Sequence, residues 1–304
     1  MQRAYISKLM ELAEKDANVL HILADSGTGY DEMFRMNFPE QMYNFGISEE
    51  HMVAAAAGMA TAGKIPFVYT AGAFLAYRSL EFIRDDVCFQ NLNVKIIGMG
   101  SGLAWSSLGP THHTTEDVAM LRVIPNLMIL SPATPRQVAA CVEKAYKHQG
   151  PVYIRIGMNN EKEFFPQEYE LTKTHDIMSE GDDITVFTTG SILEEVAAAV
   201  EMLANKGVNA TLINVHTIKP FCKEQVLEAA YKSKMLFTVE EHSICGGLGG
   251  ILSEILAENG VPVRLCRIGL EDVFAAGYGT HRSVRAENGL DAKSICDKIV
   301  EALK

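Results

Sequence analysis

The run Gly46-Ile47-Ser48-Glu49-Glu50-His51 sets two carboxylates and an imidazole at the mouth of an Ala-rich segment, Met52 to Gly58. Those alanines carry strong helix propensity. Ser48 therefore reads as an N-cap and Glu49 as a first-turn residue, where a carboxylate meets the positive end of the helix dipole. A first-turn glutamate is ordinary in itself, and it gains meaning from three loops that also follow strand-like runs. Asp25-Ser26-Gly27-Thr28-Gly29 is the first, a polar segment that also reads as a plain turn. The second begins at Tyr69 and sets Phe74 and Tyr77 at i,i+3, a spacing found more often in a core pair than in a cofactor platform. The third runs from Gly100 to His113 and ends Gly109-Pro110-Thr111-His112-His113. A Gly-Pro bend followed by a hydroxyl and imidazoles is costly to bury without partners. Loop histidines are also the usual general acids and bases near neutral pH.

The elements that would hold these loops alternate along the chain. Apolar residues at helical spacing between Arg3 and Asp16 lead into the short apolar run Val19–Ala24. Helix 49–63 then precedes strand Pro66–Tyr69, helix 74–90 precedes strand Val94–Met99, and helix 134–148 precedes strand Val152–Ile156. Such alternation predicts an α/β fold with a doubly wound, mostly parallel sheet and ligands at the loops after the strands' carboxyl ends. From Asn159 to Asp183 a charged, aperiodic stretch reads as a linker. Alternation restarts at Ile184, with strands at 184–188, 210–215, 235–239 and 263–268 and helices at 191–206, 223–232, 248–258 and 291–303. The expected organisation is a first domain over 1–158, a linker over 159–183 and a second, smaller α/β domain over 184–304.

Composition narrows the function classes. Of 304 residues, 48% are hydrophobic and 21% charged, a globular balance. The formal net charge of -11 argues against nucleic acid or an anionic membrane as partner, so an anionic substrate would need local positive charge. No apolar run approaches the ~20 residues that span a bilayer, and the cytoplasm is the expected compartment. The six cysteines are scattered without metal-ligand or redox spacing. Neighbouring side chains such as His112 and His113 chelate one ion poorly, so no metal site is expected on this chain.

Taken in order, Gly46–His51, Phe74-Leu75, the Gly-Pro-Thr-His run, Glu116-Asp117 and Leu121-Arg122-Val123-Ile124-Pro125-Asn126-Leu127 resemble the pyrimidine-binding domain of the transketolase family. Met128–Ala133 and Gly150-Pro151-Val152 continue that pattern. Val239-Glu240-Glu241-His242 with Gly246–Gly250 resembles the family's C-terminal domain, so the similarity covers nearly the whole chain.

The resemblance implies thiamine diphosphate chemistry. Glu49 matches the family position whose carboxyl meets the pyrimidine N1′, and burial would help such a group keep its proton. Phe74 would stack on the pyrimidine, Tyr77 would lie beside it, and Asp25 falls near a cofactor-side aspartate. His112 matches the histidine facing donor substrate. Arg3 aligns, across a one-residue gap, with an arginine for the substrate's phosphate. The family binds diphosphate and Mg²⁺ through a Gly-Asp-Gly loop followed by an Asn, oxygen donors suited to a hard cation. No such pairing occurs here, and Gly181-Asp182-Asp183 lacks the following context. A diphosphate-binding partner chain is therefore implied, with this subunit as a homodimer core inside a heterotetramer.

Departures from the family pattern bear on substrate. Leu108 stands where transketolases usually place an aspartate, and Gly100 where they usually place a histidine. Met158 lies near an expected phosphate-binding arginine, for which Arg155 is the nearby substitute. These changes leave room for a sugar with another anionic or polar terminus. Gly246–Gly250 reads as close helix–strand packing rather than a nucleotide fingerprint, and His281-Arg282 as a solvated turn. Three functions follow from the resemblance: the C-terminal subunit of a two-chain transketolase moving a two-carbon ketol unit, the β subunit of a 2-oxo acid dehydrogenase, or a non-catalytic interaction subunit. The Gly-Pro-Thr-His and Leu-Arg-Val-Ile-Pro-Asn runs favour the first.

Overall fold

Helix α1 (Gln2–Lys15) buries Tyr5, Ile6, Leu9, Leu12 and Ala13, an i, i+3, i+4 face laid on the first sheet. In this computed structural model, which describes residues 1–25 and 29–304, the chain continues through β1 (Val19–Leu23), α2 (Gly29–Asn37), β2 (Met42–Asn44), α3 (Glu49–Thr61) and β3 (Ile65–Ala71). The expected helix 74–90 is present but wound unevenly. Two π-helical turns, Phe74–Arg78 and Ile83–Cys88, flank a short α4 (Leu80–Phe82). Then come β4 (Lys95–Met99), the long third loop, α5 (Asp117–Leu121), β5 (Met128–Leu130), α6 (Pro135–Lys147) and β6 (Val152–Ile156).

The second half contains β7 (His175–Ser179), β8 (Ile184–Thr189), α7 (Leu193–Ala204), β9 (Ala210–Val215), β10 (Thr217–Lys219), α8 (Lys223–Lys232) and β11 (Met235–Ser243). It closes with α9 (Leu248–Glu258), β12 (Arg264–Leu270), α10 (His281–Glu287) and α11 (Ala292–Ala302). Two sheets result, with strand orders β10-β5-β6-β4-β3-β1-β2 and β12-β11-β8-β9-β7. Every pairing is parallel except at two edges, where β10 runs antiparallel to β5 and β7 antiparallel to β9. The expected pair of doubly wound α/β domains is the observed fold.

Two details differ from the sequence reading. Strand β7 lies inside the expected linker 159–183, because its backbone completes the edge of the second sheet beside β9. The first connection between the sheets is therefore 157–174. Strand β10 belongs by sequence to the second half yet adds to the first sheet, with Thr217 opposite Leu130. The halves also share a core, since one apolar cluster contains Met52, Ile96 and Ile124 together with Ile213, Leu248 and Leu252.

The carboxyl ends of β1, β3 and β4, adjacent strands around the reversal in strand order, deliver the three loops singled out above to one edge of the sheet.

Candidate active site

The buried face of α3 is Glu49, Met52, Val53, Ala56 and Ala57, so helical periodicity alone carries the Glu49 side chain inward. Gly46 makes the preceding bend at φ +71°, a left-handed conformation that favours glycine. Asn44 ties that bend to the first loop, its Oδ1 accepting from the N–H groups of Asp25 (3.1 Å) and Gly46 (2.9 Å). Ser48 occupies the N-cap position without capping, because its hydroxyl donates to the Phe45 carbonyl at 2.8 Å. A carboxylate 2% exposed needs a partner. Glu49 finds it in Arg78, whose Nη1 donates to Glu49 Oε2 and whose guanidinium carbon sits 5.1 Å from the Phe74 ring centroid. One planar cation from the first π-helical turn thus lies between a buried carboxylate and an aromatic face.

Phe74 also meets the third loop. The His112 and Phe74 rings meet edge-to-face with centroids 5.0 Å apart, and the Trp105 ring lies 6.1 Å from that of His112. His112 Nδ1 pairs with Thr111 Oγ1 at 2.9 Å. His113 is buried, and burial holds its imidazole below the usual histidine range. Of the adjacent pair, His112 faces Phe74. Trp105 packs over Gly100, where a Cβ would come 2.1 Å from its Nε1.

Tyr77 does not share the Phe74 platform. Its hydroxyl donates to Glu116 Oε2 at 2.5 Å and accepts from the N–H groups of Thr115 and Glu116. Burial and then the Asp117 and Glu116 charges push this phenol upward, so it stays protonated. Asp25, at φ +52°, is exposed and bonded through Asn44 rather than to Glu49. Ser26, Gly27 and Thr28 of the first loop lie outside the described residues. Arg3 is exposed in the first turn of α1, near the same sheet edge, where Gln2 Nε2 donates to Tyr69 at 3.1 Å and Gly157 N–H meets Met1 Sδ.

Arg155 is not available to a substrate. It is 2% exposed, its Nε bridges both Asp117 oxygens (2.9 and 3.1 Å), and its Nη2 donates to the carbonyls of Thr114 and Glu241. The expected anion contact therefore gives way to a buried ion pair within the first half, and the bond to the Glu241 carbonyl ties it to the second.

The remaining candidates resolve into structural roles. Asp183 pairs with Lys234 at 2.6 Å and accepts from Asn209 N–H, so Gly181-Asp182-Asp183 is a tied turn. At Gly246–Gly250 the Glu240 carboxylate accepts from Leu248 and Gly249 N–H groups, filling the N-terminus of α9. That matches close packing rather than nucleotide binding. His281-Arg282 is not a solvated turn, because Thr280 caps α10 and His281 bonds Glu241 at 2.5 Å. No group of three or more His, Cys, Asp or Glu side chains suited to a metal occurs among the described residues. A cavity of about 590 Å³ lined by Lys8, Arg136 and Lys144 shares no residue with this cleft, and its Glu143 already pairs with Lys147. Among the same residues, no helix is long and apolar enough to cross a membrane.

Residues 1–161 match the transketolase pyrimidine-binding domain, and residues 174–295 match the transketolase C-terminal domain. The chain belongs to the transketolase family. A subunit of an apulose-4-phosphate transketolase from Actinobacillus succinogenes is 34% identical over 294 residues, covering 96% of this chain and 94% of that protein. A 6-deoxy-6-sulfo-D-fructose transketolase subunit from a Clostridium species is 34% identical over 302 residues, covering 97% and 92%. A solved structure described as a split-gene transketolase, inactive β4 tetramer, superimposes with a TM-score of 0.90 at 33% identity, covering 99% of this chain and 97% of that one. This transketolase-family chain thus resembles single subunits along their length. Arg78 and Trp105, which the sequence reading passed over, stand in its cleft. A cation four residues after an aromatic in a helical run, and a lone tryptophan on a loop, were the available signals.

Proposed function

We propose that this chain is the C-terminal subunit of a two-chain, thiamine diphosphate-dependent transketolase. The reaction would break the C2–C3 bond of a ketose donor and join the two-carbon ketol unit to the aldehyde carbon of an aldose. The observation that carries the reading is the spacing of Glu49 and Phe74, which hold the flat guanidinium of Arg78 between a hydrogen-bonded carboxylate and an aromatic ring. A cationic aminopyrimidine offers the same two features, planarity and an N–H aimed at a carboxylate, so the residues present fit that group.

When bound, thiamine diphosphate supplies the nucleophilic carbon and the electron sink for such a transfer. Glu49 would hold the proton at the pyrimidine N1′, and Phe74 would fix the ring by stacking. Tyr77 would border the ring while buttressing Glu116, and Asp25 would close the cofactor side of the crevice. His112 would exchange protons with, and donate hydrogen bonds to, the donor's oxygens. Arg3, exposed at the sheet edge, would meet the anionic end of the sugar.

The partner subunit would contribute the diphosphate site and the Mg²⁺ ligands, which this chain's described residues do not assemble. A homodimer of this subunit flanked by two partner chains is the assembly we infer, working in the cytoplasm in carbohydrate metabolism. The relatives' names, one a sugar phosphate and one a sulfo sugar, support an anionic ketose as the substrate class.

The test is Glu49→Gln in the complex reconstituted with its partner, thiamine diphosphate and Mg²⁺. Loss of a positioned proton-transfer group lowers turnover by about 10²–10⁴-fold. Turnover near wild type would refute the assignment.

A further inference from the structure

The loop between β4 and α5 carries both Trp105 and His112, and the C-terminal half grips it at four places. Glu241 Oε1 accepts the Leu103 N–H at 2.6 Å. Ser106 and Gly279 exchange two hydrogen bonds, Oγ to carbonyl at 2.9 Å and N–H to carbonyl at 3.2 Å. Ser243 N–H donates to Thr115 O at 2.7 Å. The Tyr278 ring lies over Gly109, where a Cβ would come 2.2 Å from Cε1.

That last contact leads directly to the cleft. Gly109 adopts φ +75°, and its carbonyl accepts the His112 N–H at 3.0 Å, closing the turn that aims the imidazole at Phe74. Tyr278 is 68% exposed, so its ring adds little to any core. Behind it, α10 is anchored by Arg285 and His281 on buried Glu241. Burial opposes the charge on that carboxyl, and Arg285 and His281 overcome the penalty, holding it well below the usual carboxylate range.

We propose that Tyr278 is a positioning residue for His112, braced through α10 by Glu241. The C-terminal domain would thereby set the geometry of the substrate-facing loop. This inference rests on the reading of His112 as the residue facing the donor.

Trp105 is the only tryptophan in the chain and sits on the same loop, so its fluorescence reports the loop's position independently of activity. The experiment compares Tyr278→Ala, Tyr278→Phe and wild type, with Tyr231→Ala as a control for losing an exposed ring elsewhere on the domain. Emission of the full-length chain is excited beyond the tyrosine band and quenched with acrylamide. Kinetics and thiamine diphosphate affinity are measured on the reconstituted complex.

Tyr278→Ala should red-shift Trp105 emission and increase its quenching. It should also lower kcat/KM for the ketose by roughly ten- to a hundred-fold, the scale of a misplaced reacting group. Cofactor affinity should not change, and Tyr278→Phe, which keeps the ring on Gly109, should match wild type. Unchanged emission and quenching in Tyr278→Ala, or an equal change in Tyr231→Ala, would overturn the inference. A wild-type complex that binds no cofactor, with emission still shifting as expected in Tyr278→Ala, would overturn the functional reading instead.

Discussion

The Arg78 guanidinium donates to the buried carboxylate of Glu49 while lying over the Phe74 ring, so a residue of this chain fills the slot proposed for the pyrimidine. Binding the cofactor ring there requires Arg78 to swing away, which its half-exposed side chain can do. Arg78→Met removes the competitor. A partly exposed ion pair contributes about 0.2–1 kcal/mol, so thiamine diphosphate should bind the mixed complex a few-fold more tightly. Titration calorimetry decides the matter, and weaker binding would mean that Arg78 itself holds the cofactor.

His112 meets Phe74 edge-to-face, without stacking on it. His112→Asn should therefore spare cofactor affinity while lowering kcat/KM for the ketose by about 10²–10⁴-fold, the contribution of a positioned acid or base. Equal losses in cofactor binding and turnover would move His112 from the substrate side to the pyrimidine side.

Arg155 is predicted to act on stability. Removing one partner of a buried ion pair costs about 3–5 kcal/mol, so Arg155→Met should lower the melting temperature sharply. Adding Asp117→Leu should restore much of the loss, because the stranded carboxylate goes with it. An unchanged melting temperature together with a raised ketose KM would return Arg155 to the substrate site.

Lys95 gives a pH dependence with a defined sign. Its ammonium is buried against the carbonyls of His148 (2.8 Å) and Gly150 (2.7 Å), with no carboxylate among those contacts, and burial pushes its pKa down from 10.5 to about 7. Below that value both folded and unfolded chains hold the proton, and the folded chain carries the full burial penalty. Between about 7 and 10.5 the unfolded chain binds more protons than the folded one, so stability rises with pH. Denaturant unfolding of Lys95→Met should lack this rise, by up to about 1.4 kcal/mol per pH unit relative to wild type. The comparison is cleanest below about pH 8.5, before unfolded cysteines ionise. Parallel pH profiles for the two proteins would show that Lys95 stays charged inside.

Much of this was legible in the sequence because it is local. The helix beginning at Glu49, the strand Val152–Ile156 and the helix 223–232 follow from periodicity within a few turns, and the inward face of Glu49 follows from its spacing to Met52 and Val53. What escaped depends on partners far along the chain. Arg155 sits in a strand buried on both faces, so alternation gave no hint of its direction, and Asp117 is 38 residues away. Glu241 looked like one charge among several until Arg285, 44 residues on, closed over it. Tyr77 was expected beside the pyrimidine, and its hydroxyl's bond to Glu116, 39 residues on, left no mark in the local pattern. Strand β10 is three residues long, too short for any periodic signal, and exists only because β5 offers an edge.

That small strand has a consequence for dissection. Residues 217–219 cross back over the junction to finish a sheet begun some two hundred positions earlier, and Lys219 fastens the graft by donating to the Arg122 and Ile124 carbonyls. A fragment severed at the connecting segment would leave the amides and carbonyls of Met128–Leu130 as a raw border, inviting self-association. Swapping C-terminal halves between related subunits would likewise exchange part of the neighbouring sheet. The smallest exchangeable unit of this architecture is the intact polypeptide.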